Sequence, residues 1–283
     1  AARADICDET VWCYATLRTC AVLRGAVQKP ARLCAPAGNA RGNLPARTDV
    51  GPLGEGTRGI MPRFDSDKEL FDYMEAHFYA SALADSVDEL GFRKQVIDPT
   101  AGIHPLRDGF VTTGRACTMI NARDPREQDP YELAIEAVDR LEADSVLVTT
   151  WTEPMSPGIM GELTATAIRA RGSRGAVVDG YTRDARKMLE MGFPIFAKGG
   201  SPIDTAGRSR IVDQGIPIDV GGVRISPGEI VYADLDGIVV VPREAETEAI
   251  ERTIARVTQE NHVRDHLAAG GTMREAWDRY GVL

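Results

Sequence analysis

Two consecutive strand-loop-helix units lie in the middle of the chain, and they constrain the fold more than any other feature. Residues 145–150 (SVLVTT) form a short apolar, β-branched run that a loop with proline and glycine joins to a helical pattern over residues 162–171. Residues 175–179 (GAVVD) form a second run, which passes through Gly180 into a helix over residues 184–191. Strands that alternate with helices are typical of α/β proteins. We therefore predict an α/β domain built around these units.

Helical and strand patterns continue on both sides of the two units. From Ser66 to Gly91, apolar residues recur at helical spacing, which predicts one or two amphipathic helices at the start of the domain. A short strand is expected within residues 110–120, followed by a helix from Pro130 to about residue 142 with Asp129 as its cap. Further strands are predicted at residues 194–197, 216–220, 222–225, 230–232 and 237–242, before a charged helix over residues 244–268 and a tail.

The first 60 residues differ in composition from the rest of the chain. They hold eight basic and five acidic residues, a net charge of +3. Because the whole chain of 283 residues has a net charge of −9, the remaining 223 residues have a net charge of −12. Pro30, Pro36, Pro45 and Pro52 interrupt every apolar pattern there. We expect residues 1–60 to be an extension outside the fold and residues 61–283 to form the domain. A native start at Met61 is one hypothesis, and loss of folding or activity in a 61–283 fragment would contradict it.

Charge and hydropathy narrow the classes of partner. The net charge of −9 and the isoelectric point near 5.1 argue against sequence-independent binding to the phosphate backbone of nucleic acids. No apolar run approaches the roughly 18 to 20 residues that span a bilayer, and no secretory signal is recognisable. We therefore expect a cytoplasmic protein with neither a nucleic-acid nor a membrane partner. Four cysteines within the first 34 residues have spacings that fit no Cys-x-x-Cys pair, which argues against a zinc site.

Two predicted helix starts follow the two strands, and strands of an open α/β sheet deliver such starts to one edge. Residues 161–164 form the start of the first of these helices. Their backbone N–H groups have no partner within the helix and carry a positive partial charge, which suits a carboxylate ligand. Gly158 and Gly161 would let the backbone approach this ligand, and Gly180 is free to adopt a turn conformation. The sequence therefore predicts an anion site at this edge.

Arg183 and Asp184 close the second unit at the same edge. Arg183 can hold a planar carboxylate or enolate through paired N–H bonds, and Asp184 offers the oxygen ligand that magnesium or manganese prefers. A cation bound to a 2-oxo acid acts as an electron sink for the enolate that forms when the adjacent carbon–carbon bond breaks. This chemistry is that of a metal-dependent aldolase. The alternative is that Arg183 and Asp184 cap a helix and form a surface ion pair.

Six motifs carry a family resemblance: GELTATA at residues 161–167, RGSRGAVVDGYTRD at 171–184, PIFA at 194–197, PIDVGGV at 217–223, PGEIV at 227–231 and DLDGIVVVP at 234–242. They resemble the RraA-like family, which includes the 4-hydroxy-4-methyl-2-oxoglutarate/4-carboxy-4-hydroxy-2-oxoadipate aldolases, and the resemblance covers roughly residues 66–283. The resemblance implies an α/β fold, a single-domain αββα sandwich of the swivelling, phosphohistidine-domain-like type. It also implies a helical N-terminal part, a C-terminal helix, and homotrimers or hexamers with sites at subunit contacts.

The resemblance implies roles for the residues of the 161–184 segment. Asp184 would bind Mg²⁺ (or Mn²⁺) directly, Arg183 would bind the pyruvyl group and its enolate, and Glu162 would bind metal-coordinated water. The expected reaction is that of a class II pyruvate aldolase, which cleaves a 4-hydroxy-2-oxo acid to pyruvate and a second carbonyl product. Oxaloacetate decarboxylation is expected alongside it.

Further contacts to the substrate follow from the same resemblance. The amides of Leu163 and Thr164, just after Gly161, would hold the carboxylate and the oxo group of the substrate. Glu260, on the C-terminal helix of a neighbouring subunit, would supply an additional carboxylate. The loop over residues 151–160 departs from the family pattern, because EPM at 153–155 replaces a glycine-rich stretch. This loop would contact the far end of the substrate.

A non-catalytic reading remains open, because some relatives are RraA-type regulators that bind and inhibit an RNA-degrading endonuclease. Such regulators are expected to have a shorter C-terminus without the helix that carries the extra carboxylate. This chain continues about 40 residues past Pro242, which favours the enzyme.

Other candidate residues have competing interpretations. His262 and His266 stand four residues apart on a predicted helix and could bind zinc, although a solvated helix face explains them better. Lys198 follows a predicted strand and could form a Schiff base, which borohydride trapping with pyruvate would test, but its glycine neighbours indicate a surface turn. Asp234 and Asp236 could bind a metal, yet this spacing before a β-branched run is more typical of a tight turn.

Overall fold

The computed structural model of the chain describes residues 62–282. Its helices are α1 (Asp67–His77), α2 (Ala80–Glu89), α3 (Glu132–Asp139), α4 (Glu162–Ala170), α5 (Ala185–Met191), α6 (Glu246–Ala268) and α7 (Met273–Tyr280). Its strands are β1 (His104–Pro105), β2 (Thr112–Arg123), β3 (Ser145–Trp151), β4 (Gly158–Met160), β5 (Gly175–Thr182), β6 (Ile195–Gly200), β7 (Ser209–Gln214), β8 (Ile218–Val220), β9 (Val223–Ile225), β10 (Ile230–Ala233) and β11 (Ile238–Val241). The predicted extension over residues 1–60 and the hypothetical start at Met61 lie outside the described residues.

Nine strands join in one mixed sheet, in the order β1-β6-β5-β3-β2-β10-β11, with β4 beside β5 and β7 beside β2. Strands β2, β3, β5 and β6 run parallel, whereas β1, β7, β10 and β11 run antiparallel to their neighbours. Strand β3 is buried along nearly its whole length, as is typical of a parallel strand covered on both faces. The carboxyl ends of β3, β5 and β6 therefore meet at one edge of the sheet. Strands β8 and β9 form a separate antiparallel ribbon.

Helices cover one face of this sheet, and the β8–β9 ribbon covers the other. Helices α1, α2 and α6 pack on β10 and β11 through a cluster that contains the fully buried Phe71 and Leu83. Helices α3, α4 and α5 pack on β2, β3, β5 and β6 through a second cluster, which contains the buried Ile168 and Met188. The alternate residues of the same strands face the ribbon, because successive side chains of a strand point to opposite faces.

The predicted α/β class is confirmed by this architecture, and the finer description as a swivelling αββα sandwich stays a prediction. The two predicted N-terminal helices are α1 and α2, and the Ser66 hydroxyl caps α1 by accepting from the amide of Glu69 at 3.2 Å. The predicted start of α3 is wrong, because this helix begins at Glu132. Asp129 is not its cap: an N-cap residue has extended backbone, whereas Asp129 is left-handed with φ 46°.

Four elements were not predicted from the sequence, and the first of them is the two-residue strand β1. Strand β4 has only three residues and opens with glycine, and β7 alternates weakly because Arg210 and Asp213 interrupt it. Helix α7 carries apolar side chains at helical spacing, Met273, Ala276, Trp277 and Tyr280, although only Ala276 is buried. This stripe and a capping box between Thr272 and Glu275 mark the helix in the sequence, and both were overlooked. Of the described helices, none combines the length and the apolar character that crossing a membrane requires.

Candidate functional site

The starts of α4 and α5 lie side by side at the carboxyl edge of the parallel strands. Strand β4 pairs with the end of β5, where Met160 stands opposite Thr182. The amide of Arg183 donates to the main-chain oxygen of Met160 at 2.7 Å. Gly161 then opens α4, and Asp184 opens α5. The structure thus brings together the two segments that the sequence pattern singled out.

Asp184 contacts the start of α4 directly. Its Oδ2 accepts from the backbone N–H of Glu162 at 3.3 Å, and its side chain is exposed. Gly161 leaves room for this contact, since a Cβ at that position would lie 2.9 Å from the same Oδ2. Asp184 adopts a left-handed backbone with φ 55°, a conformation that is uncommon outside glycine and recurs at functional sites.

The turn predicted at Gly180 is wrong, because β5 continues through this residue to Thr182. Glycine is required there for packing: a Cβ would lie 2.6 Å from the indole nitrogen of Trp151 and 2.9 Å from Ile159 Cδ1. The change of direction that leads into α5 takes place at Asp184 instead. Strand β5 therefore ends directly before Arg183.

Arg183 has two well-defined contacts. Its aliphatic stem lies against Gly158, where an added Cβ would overlap Arg183 Cγ and stand 2.9 Å from the main-chain oxygen of Ser201. Its guanidinium Nη1 lies 2.9 Å from Oδ1 of Asp204, and both side chains are partly exposed. The ion pair considered between Arg183 and Asp184 is therefore not the one that forms. The partner of Arg183 comes from the loop between β6 and β7.

Asp204 also binds Tyr131, which precedes α3. The tyrosine O–H lies 3.0 Å from each carboxylate oxygen of Asp204. Partial burial works to raise the pKa of Asp204, but the hydrogen bonds from Tyr131 and Arg183 outweigh it and hold this pKa below its ordinary value. Sequence reasoning missed both residues, because neither loop carries a motif and their meeting depends on the tertiary fold.

The first turn of α4 presents the other predicted groups. Glu162 is half-buried, and its Oε1 accepts from the Thr166 hydroxyl at 3.1 Å. The amides of Leu163 and Thr164 belong to the first turn, where N–H groups lack partners within the helix. The Leu163 side chain is 79% exposed, which is unusual for leucine.

Glu260 lies elsewhere in the chain. It belongs to α6, which packs with α1, α2, β10 and β11, whereas α4 and α5 pack on the other part of the sheet. Its Oε2 accepts a hydrogen bond from the Tyr79 hydroxyl. Burial raises the pKa of Glu260 above its ordinary value. One chain alone therefore does not bring Glu260 to Asp184, and the predicted role requires a second subunit.

A cleft of about 700 Å³ opens beside the end of β5, at the same edge of the sheet. The loop over residues 154–157 and Trp151 form one side of it, and Tyr181 of β5 and Ile203 of the β6–β7 loop form another. Ile203 immediately precedes Asp204, the partner of Arg183. The cleft and the Arg183–Asp204 pair are therefore linked through the β6–β7 loop, although neither member of the pair lines the cleft.

Cations outnumber carboxylates among the residues that line this cleft. Arg123 pairs with Glu153 at 2.7 Å, and Lys198 pairs with Asp179 at 2.7 Å. Arg208 donates only weakly, through Nη1 to main-chain oxygens at 3.3 and 3.4 Å, and has no carboxylate partner within the described residues. The cleft is thus suited to a partly apolar ligand that carries a negative charge.

The groups at Asp184 fit a magnesium or manganese ion that keeps most of its own water. Asp184 offers an exposed carboxylate that is engaged only by one weak amide contact in the described part of the chain. No group of three or more histidine, cysteine or acidic side chains in residues 62–282 is arranged to hold a metal. Mg²⁺ is commonly bound through one or two carboxylates, with water and substrate oxygens completing its octahedron. Asp184 would then be the direct ligand contributed by this chain.

The other candidate residues have structural partners. Lys198 lies within β6, so the predicted surface turn at its glycine neighbours is wrong, and its Nζ pairs with Asp179 Oδ1 at 2.7 Å. Asp234 accepts from the amide of Asp236 at 2.9 Å in the β10–β11 turn, which confirms the tight-turn interpretation. His262 and His266 both face the Tyr280 ring between α6 and α7.

A comparison with known families identifies the family of this chain. Residues 80–240 match the family model described as RraA-like, Aldolase/RraA. The chain belongs to the RraA-like family. The matched region covers more than half of this RraA-like chain, and it includes every candidate site residue except Glu260.

Individual relatives resemble this RraA-like chain at moderate identity. Protein DlpA of Legionella pneumophila is 26% identical over 202 residues, which cover 71% of this chain and 32% of DlpA. The chain thus spans about a third of that relative. A Halalkalibacterium halodurans protein named "Putative 4-hydroxy-4-methyl-2-oxoglutarate aldolase" is 29% identical over 154 residues, which cover 54% of this chain and 70% of that protein.

A solved structure supports the fold. Streptomyces coelicolor RraAS2, described as an unusual member of the RNase ES inhibitor RraA protein family, superposes with a TM-score of 0.62 at 27% identity. The superposition covers 72% of this chain and 99% of RraAS2.

Proposed function

We propose that this chain is a divalent-metal-dependent aldolase that cleaves a 4-hydroxy-2-oxo acid to pyruvate and a second carbonyl product. Oxaloacetate decarboxylation would be a side activity. The observation that carries the proposal is the meeting of Asp184, Arg183 and the first amides of α4 at one edge of the sheet, next to a cationic cleft. The name of the Halalkalibacterium relative supports the same class of reaction.

In the proposed reaction, the bond between carbon 3 and carbon 4 of the substrate breaks. The hydroxyl on carbon 4 loses its proton and becomes the carbonyl of the second product. The bonding electrons pass to carbon 3 and the oxo group on carbon 2, which gives the enolate of pyruvate. Arg183 donates paired N–H bonds to the substrate carboxylate and to this developing charge. The enolate then takes up a proton at carbon 3.

The start of α4 completes the proposed site. The amides of Leu163 and Thr164 orient the carboxylate and the oxo group, since the N-terminal N–H groups of a helix bind anions. Glu162, whose carboxylate is held by Thr166, accepts the proton of the 4-hydroxyl through a water molecule. When bound at Asp184, Mg²⁺ (or Mn²⁺) supplies an electron sink for the charge on the oxo group.

A homo-oligomer, either a trimer or a hexamer, is part of the proposal. Glu260 can join the site only from a neighbouring subunit, because its own α6 packs on the other part of the sheet. The exposed Leu163 side chain would be covered by such a subunit contact. A cytoplasmic location and the swivelling-type sandwich stay predictions.

The second candidate function is that of an RraA-type regulator, which binds an RNA-degrading endonuclease without catalysis. The similarity to RraAS2 favours it. The described chain continues beyond β11 through α6 and α7, and this extension favours the enzyme instead.

The test measures pyruvate release from oxaloacetate and from a 4-hydroxy-2-oxo acid, with Mg²⁺ or with chelator. Wild type is compared with Asp184→Ala and with Asp219→Ala, which removes an exposed carboxylate that pairs with Arg224 on the β8–β9 ribbon. We expect chelation and Asp184→Ala each to lower kcat/KM by about 10³, because the electron sink contributes several kcal/mol. Asp219→Ala should retain wild-type activity.

Pyruvate release that continues after chelation, or in Asp184→Ala, would refute the metal-dependent mechanism. An inactive wild type that inhibits an RNA-degrading endonuclease stoichiometrically would establish the regulator instead.

A further inference from the structure

Arg183 is held by a carboxylate that has no part in the proposed chemistry. Its Nη1 lies 2.9 Å from Oδ1 of Asp204, while its stem rests on Gly158. An arginine has four long rotatable side-chain bonds, so its guanidinium needs a second fixed point to keep one orientation. Asp204 is that point in the described part of the chain. One edge of the guanidinium is bound there, and the remaining N–H groups are left for a ligand.

Asp204 is itself fixed from two sides. The Tyr131 hydroxyl lies 3.0 Å from each of its oxygens, and Tyr131 belongs to the segment before α3. The loop that carries Asp204 closes on itself, because the amides of Arg208 and Ser209 both donate to the main-chain oxygen of Thr205 at 2.9 Å. Three separate segments therefore converge on one carboxylate: the start of α3, the end of β5 and the β6–β7 loop.

This arrangement differs from an ordinary surface ion pair. The pair between Arg224 and Asp219 on the β8–β9 ribbon is such a pair, with side chains 63% and 71% exposed. The Arg183 and Asp204 side chains are 34% and 41% exposed, and the pair has a third member in Tyr131. An exposed ion pair between two otherwise unbound side chains contributes little to stability and does not hold either side chain in one orientation. A carboxylate that also accepts from a second donor is held in a defined orientation.

We infer that Asp204, oriented by Tyr131, is a positioning residue that fixes the Arg183 guanidinium for the substrate carboxylate and enolate. This inference rests on the function proposed above for Arg183. Asp204 touches neither substrate nor metal in this role and acts only through the arginine. Its loss should weaken the binding of an enolate-like dianion and lower turnover, while the metal affinity at Asp184 stays unchanged.

The experiment compares wild type with Asp204→Asn, Tyr131→Phe and the control Asp219→Asn. Binding of oxalate, a planar dianion that resembles the pyruvate enolate, is measured calorimetrically at saturating Mg²⁺. Mg²⁺ affinity is measured separately, and kcat and KM are measured for pyruvate release from a 4-hydroxy-2-oxo acid. Thermal unfolding of each variant serves as the folding control.

We expect Asp204→Asn to weaken oxalate binding about tenfold and to lower kcat/KM by roughly 10- to 100-fold, since a displacement of about 1 Å can cost 10² in rate. Tyr131→Phe removes one hydroxyl and should have a smaller effect of about threefold in both measurements. Both variants should bind Mg²⁺ as wild type does, and Asp219→Asn should match wild type throughout. Should Asp204→Asn fail to fold, Tyr131→Phe decides the question alone.

An active wild type whose Tyr131 and Asp204 variants match Asp219→Asn would overturn the positioning role and leave the proposed function intact. Equal losses of oxalate and Mg²⁺ binding would also overturn it, because they would indicate general damage to the site. A wild type that neither binds oxalate nor releases pyruvate would overturn the proposed function, and this inference with it.

Discussion

Replacing Gly161 by alanine should weaken the metal site without unfolding the protein. The new Cβ would lie 2.9 Å from Oδ2 of Asp184, so one of the two groups must move by about 0.5 Å to reach ordinary contact. The carboxylate moves most easily, because it is the exposed end of a side chain. Metal ligands must keep their distances within about 0.2 Å, and changes that disturb a ligand's support typically lower metal affinity by 10- to 100-fold.

The effect of this substitution on stability should be small. Gly161 has φ −121°, which alanine adopts without strain, and the N-cap position loses about 0.5 to 1 kcal/mol when glycine becomes alanine. Alanine also restricts the unfolded chain, which returns about 0.4 to 1 kcal/mol. We therefore expect the free energy of unfolding to change by less than about 1 kcal/mol.

Calorimetric titration with Mn²⁺, together with urea unfolding, would check both parts of this prediction. Gly200→Ala is the matched control, because its Cβ would meet only the main-chain oxygen of Thr182, at 3.9 Å. Unchanged Mn²⁺ affinity in Gly161→Ala, in a wild type that binds the ion, would refute the reasoning that Asp184 is the ligand and that Gly161 makes room for it.

Two further predictions concern residues outside this contact. Arg208→Gln should raise the KM about tenfold for a 4-hydroxy-2-oxo acid that has a second carboxylate, because a charge-assisted hydrogen bond in the cleft is lost. The KM for a substrate that ends in a methyl group should not change, and equal effects on both substrates would contradict this prediction. Burial raises the pKa of Glu260 above its ordinary 4.5, so the wild type loses stability as the pH rises through that raised value. In urea unfolding, Glu260→Gln should therefore have a higher free energy of unfolding than wild type at pH 7, and the same value well below pH 4.5. The variant should lose activity if a neighbouring subunit uses this carboxylate.

Much of the fold follows from local patterns in the sequence. The runs at residues 145–150 and 175–179 are apolar because β3 and β5 are parallel strands buried on both faces, which the sheet register bears out. The missed strands lack such patterns. Strand β7 exists because the far half of β2 offers it an open edge, and this pairing joins distant parts of the chain, so no local pattern reports it. Helix α7 is different, because its apolar stripe and its capping box are both visible in the sequence and were overlooked.

The candidate site was predictable as far as it is continuous in sequence. Gly161, Glu162, Arg183 and Asp184 stand at the ends of consecutive units, and the topology of parallel strands places them together. Asp204 comes from a loop without a motif, and its approach to Arg183 depends on the continuation of β5 past Gly180 and of β6 to Gly200. A turn at Gly180 would have ended β5 earlier and removed this contact.

Gly158 and Gly161, just before α4, have a role that their sequence positions did not indicate. Glycines beside a helix start usually indicate close approach of the backbone to a ligand. Here a Cβ on Gly158 would overlap the stem of Arg183, and a Cβ on Gly161 would meet the carboxylate of Asp184. Each glycine therefore makes room for a side chain of the neighbouring unit, and that side chain is the group for which we propose a contact with the ligand. Gly158 and Gly161 of the first unit thus leave space for Arg183 and Asp184 of the second unit. The proposed site therefore needs both units.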